Sequence, residues 1–243
     1  MTRADTQLRK SQSIFGVIFI VPHPMIDMEI DVIKFRRPEK HNALDLEHMR
    51  EISKEFHKCR NPVVITGEPS FCSGLDLDYI SKASEREIAE FAEVANSFIL
   101  EIARYPRPVI AFVQGYAIGG GFSIALACDG IVADINAIFS TGFARLGIAP
   151  DMGVSYFLPR TVGVKKALKL LSTAERFKAD EALDMDIVAK IGEIDDAFDL
   201  AGKMEGNSLK YIKELIYPDI EKHVMMEKEL ALKSISEIRI GTE

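Results

Sequence analysis

The stretch GYAIGGGFSIALACD, residues 115–129, decides how this sequence is interpreted. Three consecutive glycines, Gly119, Gly120 and Gly121, stand at the start of an apolar segment, where one glycine is enough to form a turn. Small residues allow a helix end to pack tightly against a strand, and this is one explanation of the run. The other is that a ligand approaches the backbone so closely that no side chain is tolerated.

Known nucleotide-binding motifs do not explain the run. A phosphate loop requires GxxxxGK[ST] and a dinucleotide fingerprint requires GxGxxG, whereas Gly121 is followed by Phe122, Ser123 and Ile124. The nucleophile elbow GxSxG is nearly matched by GFSIA, but Ala125 replaces its second glycine. What remains is the chemistry of a helix start, with unpaired N–H groups, the positive end of a dipole and no Cβ. Such a place stabilises an anion, and a transient anion would make it an oxyanion hole.

Composition excludes several classes of protein. The chain has 243 residues, is 47% hydrophobic and carries a formal net charge of −7, which suits a globular domain and argues against a nucleic-acid binder. Cys59, Cys72 and Cys128 are an odd number without a CxxC pair, so we expect reduced thiols and a cytoplasmic location. The five histidines lack the spacing of a metal site, and no metal is expected.

The N-terminal segment contains the apolar run SIFGVIFIV, followed by Pro22 and Pro24. The run is too short to span a bilayer, and no small-residue cleavage site follows it, so a strand is favoured over a signal core. No membrane partner is expected. A misassigned start, with Met25 or Met28 as the first residue, stays open.

The rest of the chain alternates strand-like and helix-like segments, which predicts an α/β fold. EIDVIKF, PVVITG, VIAFVQG and two short pieces of GIVADINAIFST have the pattern of strands. Helices are predicted for DLEHMREISKEFHKC, SEREIAEFAEVANSFILEIARY, the segment that follows the three glycines, VGVKKALKLLST, KADEALDM and the tail. The predicted organisation is an N-terminal extension over 1–28, an α/β core over 29–205 and a helical region over 206–243 that caps the core or forms trimer contacts.

A second glycine turn, FCSGLDL at residues 71–77, follows a predicted strand and could aim another N–H group at the same point. Together RRPEKHNAL, FCSGLDL, PVIAFVQGYAIGGGFSIALACD and RLGIAPDMGVSYFLPRTVG resemble the crotonase (enoyl-CoA hydratase/isomerase) family, from about Glu29 to Gly192. The resemblance implies a spiral of repeated ββα units, assembled as a homotrimer or homohexamer, that binds acyl-CoA thioesters. It implies no separate cofactor, because coenzyme A belongs to the substrate.

The resemblance also implies the positions of the site residues. The thioester carbonyl is expected between two N–H groups, those of Leu75 and Gly120, with Gly74 and Gly119 beside them. The adenine and pantetheine region is expected along the segment after Pro38 and beside the second glycine turn, near His41, Ala43, Asp76 and Leu77.

The acid/base residues depart from the hydratase pattern. Hydratases of this family carry two glutamates where this chain has Ser123 and Phe143, so ordinary hydratase activity should be weak or absent. Asp151 stands where isomerases of the superfamily carry an aspartate, and burial should raise its pKa. The expected reaction is a double-bond isomerisation, in which Asp151 moves one proton. Phe143 is an apolar wall or a space filler, and Ser123 is a substrate contact or a helix-start residue.

Other functions remain open at this stage. The same enolate could lead to hydration, thioester hydrolysis or decarboxylation, because the fold stabilises the intermediate and a few side chains choose the outcome. A non-catalytic acyl-CoA binding protein would also account for the two missing glutamates.

Overall fold

The computed structural model describes residues 9–10, 17–22 and 28–240, with side chains described over 28–238. The strands are β1 Arg9–Lys10, β2 Val17–Pro22, β3 Glu29–Phe35, β4 Val63–Gly67, β5 Val109–Val113, β6 Tyr116–Ile118, β7 Gly130–Ala133, β8 Ile138–Ser140, β9 Phe177–Lys178 and β10 Lys190–Ile191. The helices are α1 Leu46–Phe56, α2 Leu77–Lys82, α3 Glu85–Arg104, α4 Gly120–Ala127, α5 Val154–Val162, α6 Val164–Thr173, α7 Ala179–Asp184, α8 Ile194–Met204, α9 Leu209–Ile216 and α10 Ile220–Ile240, with 3₁₀ helices at Pro38–Lys40 and Phe143–Leu146.

The described strands form two sheets. One has the order β1-β2-β3-β4-β5-β7-β10, with parallel pairing from β3 to β10, and the other has the order β6-β8-β9. β2, from the N-terminal apolar run, pairs antiparallel with β3 so that Val17 lies opposite Lys34 and Pro22 opposite Glu29. The alternative start at Met25 lies outside the described residues.

The chain moves between the sheets in a repeating order. β5 enters the large sheet, β6 the small one, and α4 follows; β7, β8 and α5 repeat this course. The repeat before these two consists of β4, then Cys72, which forms an isolated bridge to Ala117 of β6, and then α2. The predicted α/β class and the spiral of ββα units are therefore confirmed.

The central strands are buried on both faces, as expected for a parallel sheet covered by helices. Val63 and Ile65 of β4 face the main core, whereas Val64 faces a second cluster that α8 closes with Phe198 and two alanines. Burying a side chain of this size stabilises the fold by roughly 1.5–3 kcal/mol. The continuous apolar run PVVITG therefore reflects packing on two sides of the sheet.

Local signals place several helices where the sequence predicts them. The Asp45 carboxylate accepts the His48 N–H at 2.8 Å and begins α1, and Ser84 and Glu87 form the capping box of α3. The helix α5 differs from the prediction, because its sequence was not predicted to be helical. It contains Pro159, which lacks an N–H and normally ends a helix.

The C-terminal tail forms α9 and α10 on either side of Pro218, as its periodicity predicts. α10 packs against α3 and α5 of the same chain, so this helix covers the α/β core. None of the helices in the described ranges combines the length and the apolar character needed to cross a membrane.

Candidate active site

Glycine stands at each of the three positions for a different structural reason. Gly119 has a φ of 54°, in the left-handed region that side chains rarely adopt. A Cβ on Gly121 would stand 2.3 Å from the main-chain oxygen of Cys72, so packing of backbone on backbone alone requires glycine there. A Cβ on Gly120 would meet the ends of two side chains, Met152 Sδ at 2.9 Å and Leu44 Cδ1 at 3.2 Å. Tight packing, the simpler of the two explanations of the run, thus accounts for Gly121.

Two main-chain N–H groups are left available beside these glycines. The Gly119 N–H donates to the Ser140 oxygen at 3.0 Å, whereas the Gly120 N–H, at the first position of α4, has no acceptor within the described ranges. The Leu44 N–H donates to the Gly74 oxygen at 2.7 Å and the Leu44 oxygen accepts the N–H of the residue after Leu75. In this parallel bridge the N–H of Leu75 itself points to the other side of the segment.

The two available donors lie on adjacent segments. Gly74 has a φ of 93°, and a Cβ on it would stand 3.6 Å from the Cα of Gly119 and 2.7 Å from the main-chain oxygen of Ile118. Leu75 and Gly120 both line one cavity next to this contact. The structure therefore brings together the donors that the sequence suggested, and glycine at position 74 is required by the approach of the two backbones.

The cavity beside these donors has a volume of about 220 Å³ and a mostly apolar lining. Predicted site residues in the lining are Gly74, Leu75, Leu77, Gly119, Gly120, Phe143 and Asp151. Other lining side chains include Leu44, Ile80, Ile88, Phe91, Ile118, Leu146, Ile148, Met152, Ala231, Leu232 and Ile235. Among the described residues that line it, Asp151 is the acidic one, and Arg145 and Arg176 are the basic ones.

Asp151 lies in the turn between the second 3₁₀ helix and α5. Its Oδ1 accepts the Met152 N–H at 2.7 Å, and its main-chain oxygen accepts the Ser123 hydroxyl at 3.1 Å. Burial raises the pKa of its carboxyl, against the opposing effects of the Met152 N–H, the Asn96 amide and the positive charge of Lys228. The sequence-based expectation of an aspartate with a raised pKa is therefore confirmed, and such a group is a stronger base near neutrality.

Ser123 and Phe143 differ in their relation to the cavity. Phe143 is 7% exposed and forms part of the apolar wall. Ser123 is fully buried and does not belong to the described lining, and its hydroxyl is directed to the main chain of Asp151. The geometry thus gives Ser123 a structural partner at the turn that carries Asp151.

The remaining predicted binding residues lie behind the second glycine turn. An Arg37 guanidinium nitrogen donates to the Ala43 oxygen at 2.8 Å and another to the Asp76 carboxylate at 2.9 Å. Burial opposes ionisation of Asp76, but hydrogen bonds from Arg37 and from the Tyr79 N–H outweigh it and lower the pKa. His41 Nδ1 lies 3.0 Å from the Ser70 hydroxyl.

His41, Ala43 and Asp76 do not belong to the described cavity lining. They lie next to the segment from which the Leu75 N–H projects, since Leu44, which follows Ala43, forms an isolated parallel bridge with Leu75.

Sequence reasoning missed two contributions to this site. The amide of Asn96 in α3 opposes the rise in the pKa of Asp151, although Asn96 has the sequence pattern of an ordinary polar residue of an amphipathic helix. Ala231, Leu232 and Ile235 of α10 line the cavity, whereas the tail was expected only to cap the core or to contact a neighbour. The apolar period of the tail was the available signal, but it does not specify what the apolar face covers.

Neither a nucleophilic cysteine nor a metal cluster occurs among the described residues. Burial raises the pKa of the Cys72 thiol to about 12, so it stays protonated near neutrality. Groups of three or more potential metal ligands are absent from the part of the chain that the structure describes.

Comparison with known proteins finds consistent similarity. Residues 26–239 match the family model of enoyl-CoA hydratase/isomerase. The chain is 33% identical over 196 residues to a short-chain-enoyl-CoA hydratase of Clostridium acetobutylicum, covering 76% of this chain and 75% of that protein. It is 31% identical over 172 residues to a 4-chlorobenzoyl coenzyme A dehalogenase-2 of an Arthrobacter species, covering 67% and 62%. The crystal structure of an enoyl-CoA hydratase from Bacillus halodurans superposes with a TM-score of 0.76 at 27% identity, over 85% of this chain and 91% of that one.

Proposed function

This chain belongs to the enoyl-CoA hydratase/isomerase family and is a crotonase-type acyl-CoA enzyme, and from that premise we propose that it isomerises the double bond of an enoyl-CoA. The observation that carries the proposal is the composition of the cavity, in which two available N–H groups and the one acidic side chain of the described lining border a mostly apolar space. This arrangement can stabilise an enolate and move one proton.

The oxyanion site consists of the N–H groups of Leu75 and Gly120. A thioester oxygen placed between them gains negative charge when the α proton leaves, and the two donors stabilise that charge more strongly than the neutral carbonyl. Each such donor contributes about 3–4 kcal/mol to the lowering of a barrier of this kind. The dipole of α4, whose first residue is Gly120, adds to the effect.

Asp151 serves as the base. Its carboxylate takes a proton from the α carbon of a 3-enoyl-CoA, and the electrons of the broken C–H bond form the enolate. The double bond then moves into conjugation as the enolate collapses, and the carboxylic acid returns its proton to the γ carbon. The reaction consumes no water, and Phe143 excludes water from the reacting atoms.

Hydration is the second candidate, because several similar proteins are named hydratases. Addition of water needs a group that activates the water and a group that protonates the α carbon. Within the described lining the acidic side chain is Asp151, while Phe143 and Ser123 cannot transfer protons near neutrality. This argues for isomerisation, and the relatives' names argue for hydration.

A direct assay separates the two reactions. Purified protein is incubated with a 3-enoyl-CoA and, separately, with a 2-enoyl-CoA, and absorbance of the conjugated thioester is followed. We expect the absorbance to appear from the first substrate, and Asp151→Asn to slow this about 100- to 10,000-fold. Asp78→Asn is the matched control, since Asp78 is 74% exposed and pairs with Lys40 outside the cavity. Rapid loss of the 2-enoyl chromophore that survives Asp151→Asn would refute isomerisation and favour hydration.

The oligomeric state is also a proposal, and we infer a homotrimer or homohexamer. One face of α9 supports it, because Leu215 is 80% exposed and the neighbouring Ile216 and Tyr211 are each 55% exposed. An apolar face of this kind favours association. Light scattering coupled to size-exclusion chromatography measures the mass, and a monomer at micromolar concentration would contradict the proposal.

A further inference from the structure

The helix α10 holds the turn of Asp151 from both sides. The Ala149 N–H donates to the Ser234 hydroxyl at 2.9 Å, two residues before Asp151. The Gly153 N–H donates to Glu227 Oε2 at 2.5 Å, two residues after it, and the Ser155 N–H donates to Glu227 Oε1 at 2.7 Å. Two side chains of one helix thus bind the backbone on either side of the proposed base.

The turn needs such support because of its backbone conformation. Met152 has a φ of 60° and Gly153 a φ of 78°, so two consecutive residues are left-handed. For methionine this conformation is strained and persists only where the surroundings stabilise it. The N–H groups at the start of α5 also lack partners within that helix, and a carboxylate satisfies them well.

Glu227 is buried and fully engaged. Its side chain is 3% exposed, it accepts a hydrogen bond from the Ser155 hydroxyl, and His223 Nε2 lies 3.8 Å from its Oε1. Burial raises the pKa of Glu227 to about 7, the negative charge of Asp151 adds to the effect, and hydrogen bonds from Ser155 and Gly153 oppose it. Lys228, the next residue of α10, pairs with Glu93 of α3. The Glu227 carboxylate is therefore hydrogen-bonded to the backbone of the turn and is not exposed to solvent.

We propose that Glu227 and Ser234 are positioning residues that fix the turn from which the Asp151 carboxylate enters the cavity. The inference rests on the proposed function, since it takes Asp151 as the base. It makes the C-terminal helix part of the catalytic apparatus, and not only a cover. Neither residue touches the cavity in the described structure, so both act through the backbone of residues 149–155.

The test uses Glu227→Gln and Ser234→Ala in the full chain. Glutamine keeps the size of glutamate, but its amide can accept at one oxygen only, so one of the two N–H partners is lost. We expect each variant to lower kcat about tenfold or more with KM within about twofold, because the base is displaced while the binding surfaces remain. Glu237→Gln is the matched control on the same helix, since Glu237 is 66% exposed and pairs only with Lys233 in the described part of the chain.

A double-mutant cycle distinguishes positioning from general destabilisation. If Glu227 acts through Asp151, Glu227→Gln should cause almost no further loss of kcat in the Asp151→Asn background. Equal loss in both backgrounds, or a rise in KM at constant kcat, would refute the positioning role.

Hydrogen exchange supplies a measurement that does not depend on turnover. In Glu227→Gln the amide of Gly153 should exchange about tenfold or more faster than in the unmodified chain, because its partner is weakened. Unchanged exchange refutes the positioning role whatever Asp151→Asn does. Full turnover by Asp151→Asn refutes the proposed reaction whatever the exchange rate.

Discussion

Alanine substitutions at the adjacent positions Gly120 and Gly121 should have different consequences, a loss of turnover at Gly120 and a loss of stability at Gly121. At Gly121 the new Cβ would stand 2.3 Å from the Cys72 oxygen and 2.9 Å from its carbonyl carbon. This backbone cannot retreat, because the Cys72 N–H donates to Tyr116 at 2.8 Å and the Ile118 N–H donates to Cys72 at 3.0 Å. Overpacking against fixed backbone costs about 3 kcal/mol. For a chain of this size that lowers the thermal midpoint by about 6–12 °C.

At Gly120 the new Cβ meets only the ends of flexible side chains, Met152 Sδ and Leu44 Cδ1. These ends can rotate, and alanine is up to about 1 kcal/mol better than glycine in a helix, so the thermal midpoint should change by less than about 3 °C. Met152 lines the same cavity as Asp151, however, so its rotated side chain changes the space that the acyl chain occupies beside the proposed base. A shift of about 1 Å can cost about 100-fold in rate, so we expect kcat to fall about 10- to 100-fold.

Thermal unfolding followed by circular dichroism gives the midpoints, and conversion of a 3-enoyl-CoA to its conjugated isomer gives kcat for each folded variant. We expect that Gly121→Ala loses stability, whereas Gly120→Ala keeps its stability and loses turnover. A Gly121→Ala protein with an unchanged midpoint would show that Cys72 does not restrict this position. A fully active Gly120→Ala protein would show that the contact between position 120 and Met152 does not affect the placement of the reacting groups.

Three further outcomes are expected. Because burial raises the pKa of Asp151, kcat/KM for isomerisation should rise with pH through a midpoint above the usual aspartate range, and an acid limb that persists in Asp151→Asn would contradict this. Lys213 pairs with Asp129 at 2.7 Å with both side chains under 10% exposed, so Lys213→Met should cost about 3–5 kcal/mol in denaturant unfolding. Burial raises the pKa of Asp129, so this loss should be largest at high pH and should shrink as acidification protonates Asp129, and a pH-independent loss would contradict the assignment. Phe143→Ala should admit water, which mass spectrometry would detect as increased deuterium in the isomerised product formed in D2O; an unchanged deuterium content would show that Phe143 does not exclude water.

Much of the fold was predictable from the sequence because its signals are local. The Asp45 cap, the capping box at Ser84 and the burial of PVVITG depend on neighbours along the chain, and each gives the predicted element. α5 was not predicted, and its sequence contains Pro159, which normally interrupts a helix. Its packing on α4, α6 and α10 and the Glu227 carboxylate at its start support it here.

Some features of the candidate site were likewise predictable from the sequence, and others depended on the tertiary structure. The sequence alone determined the two glycine turns and the presence of Asp151 after them, because these are matters of residue identity and order. The family resemblance implied that Ser123 and Phe143 replace both hydratase glutamates. Only the tertiary structure decided that Gly121 packs on Cys72, that Ser123 faces the main chain of Asp151 and that Glu227 supports the turn. The Glu227 contact joins residues 74 positions apart. No local sequence pattern specifies such a partner, because the contact depends on which face of α10 packs against the folded core.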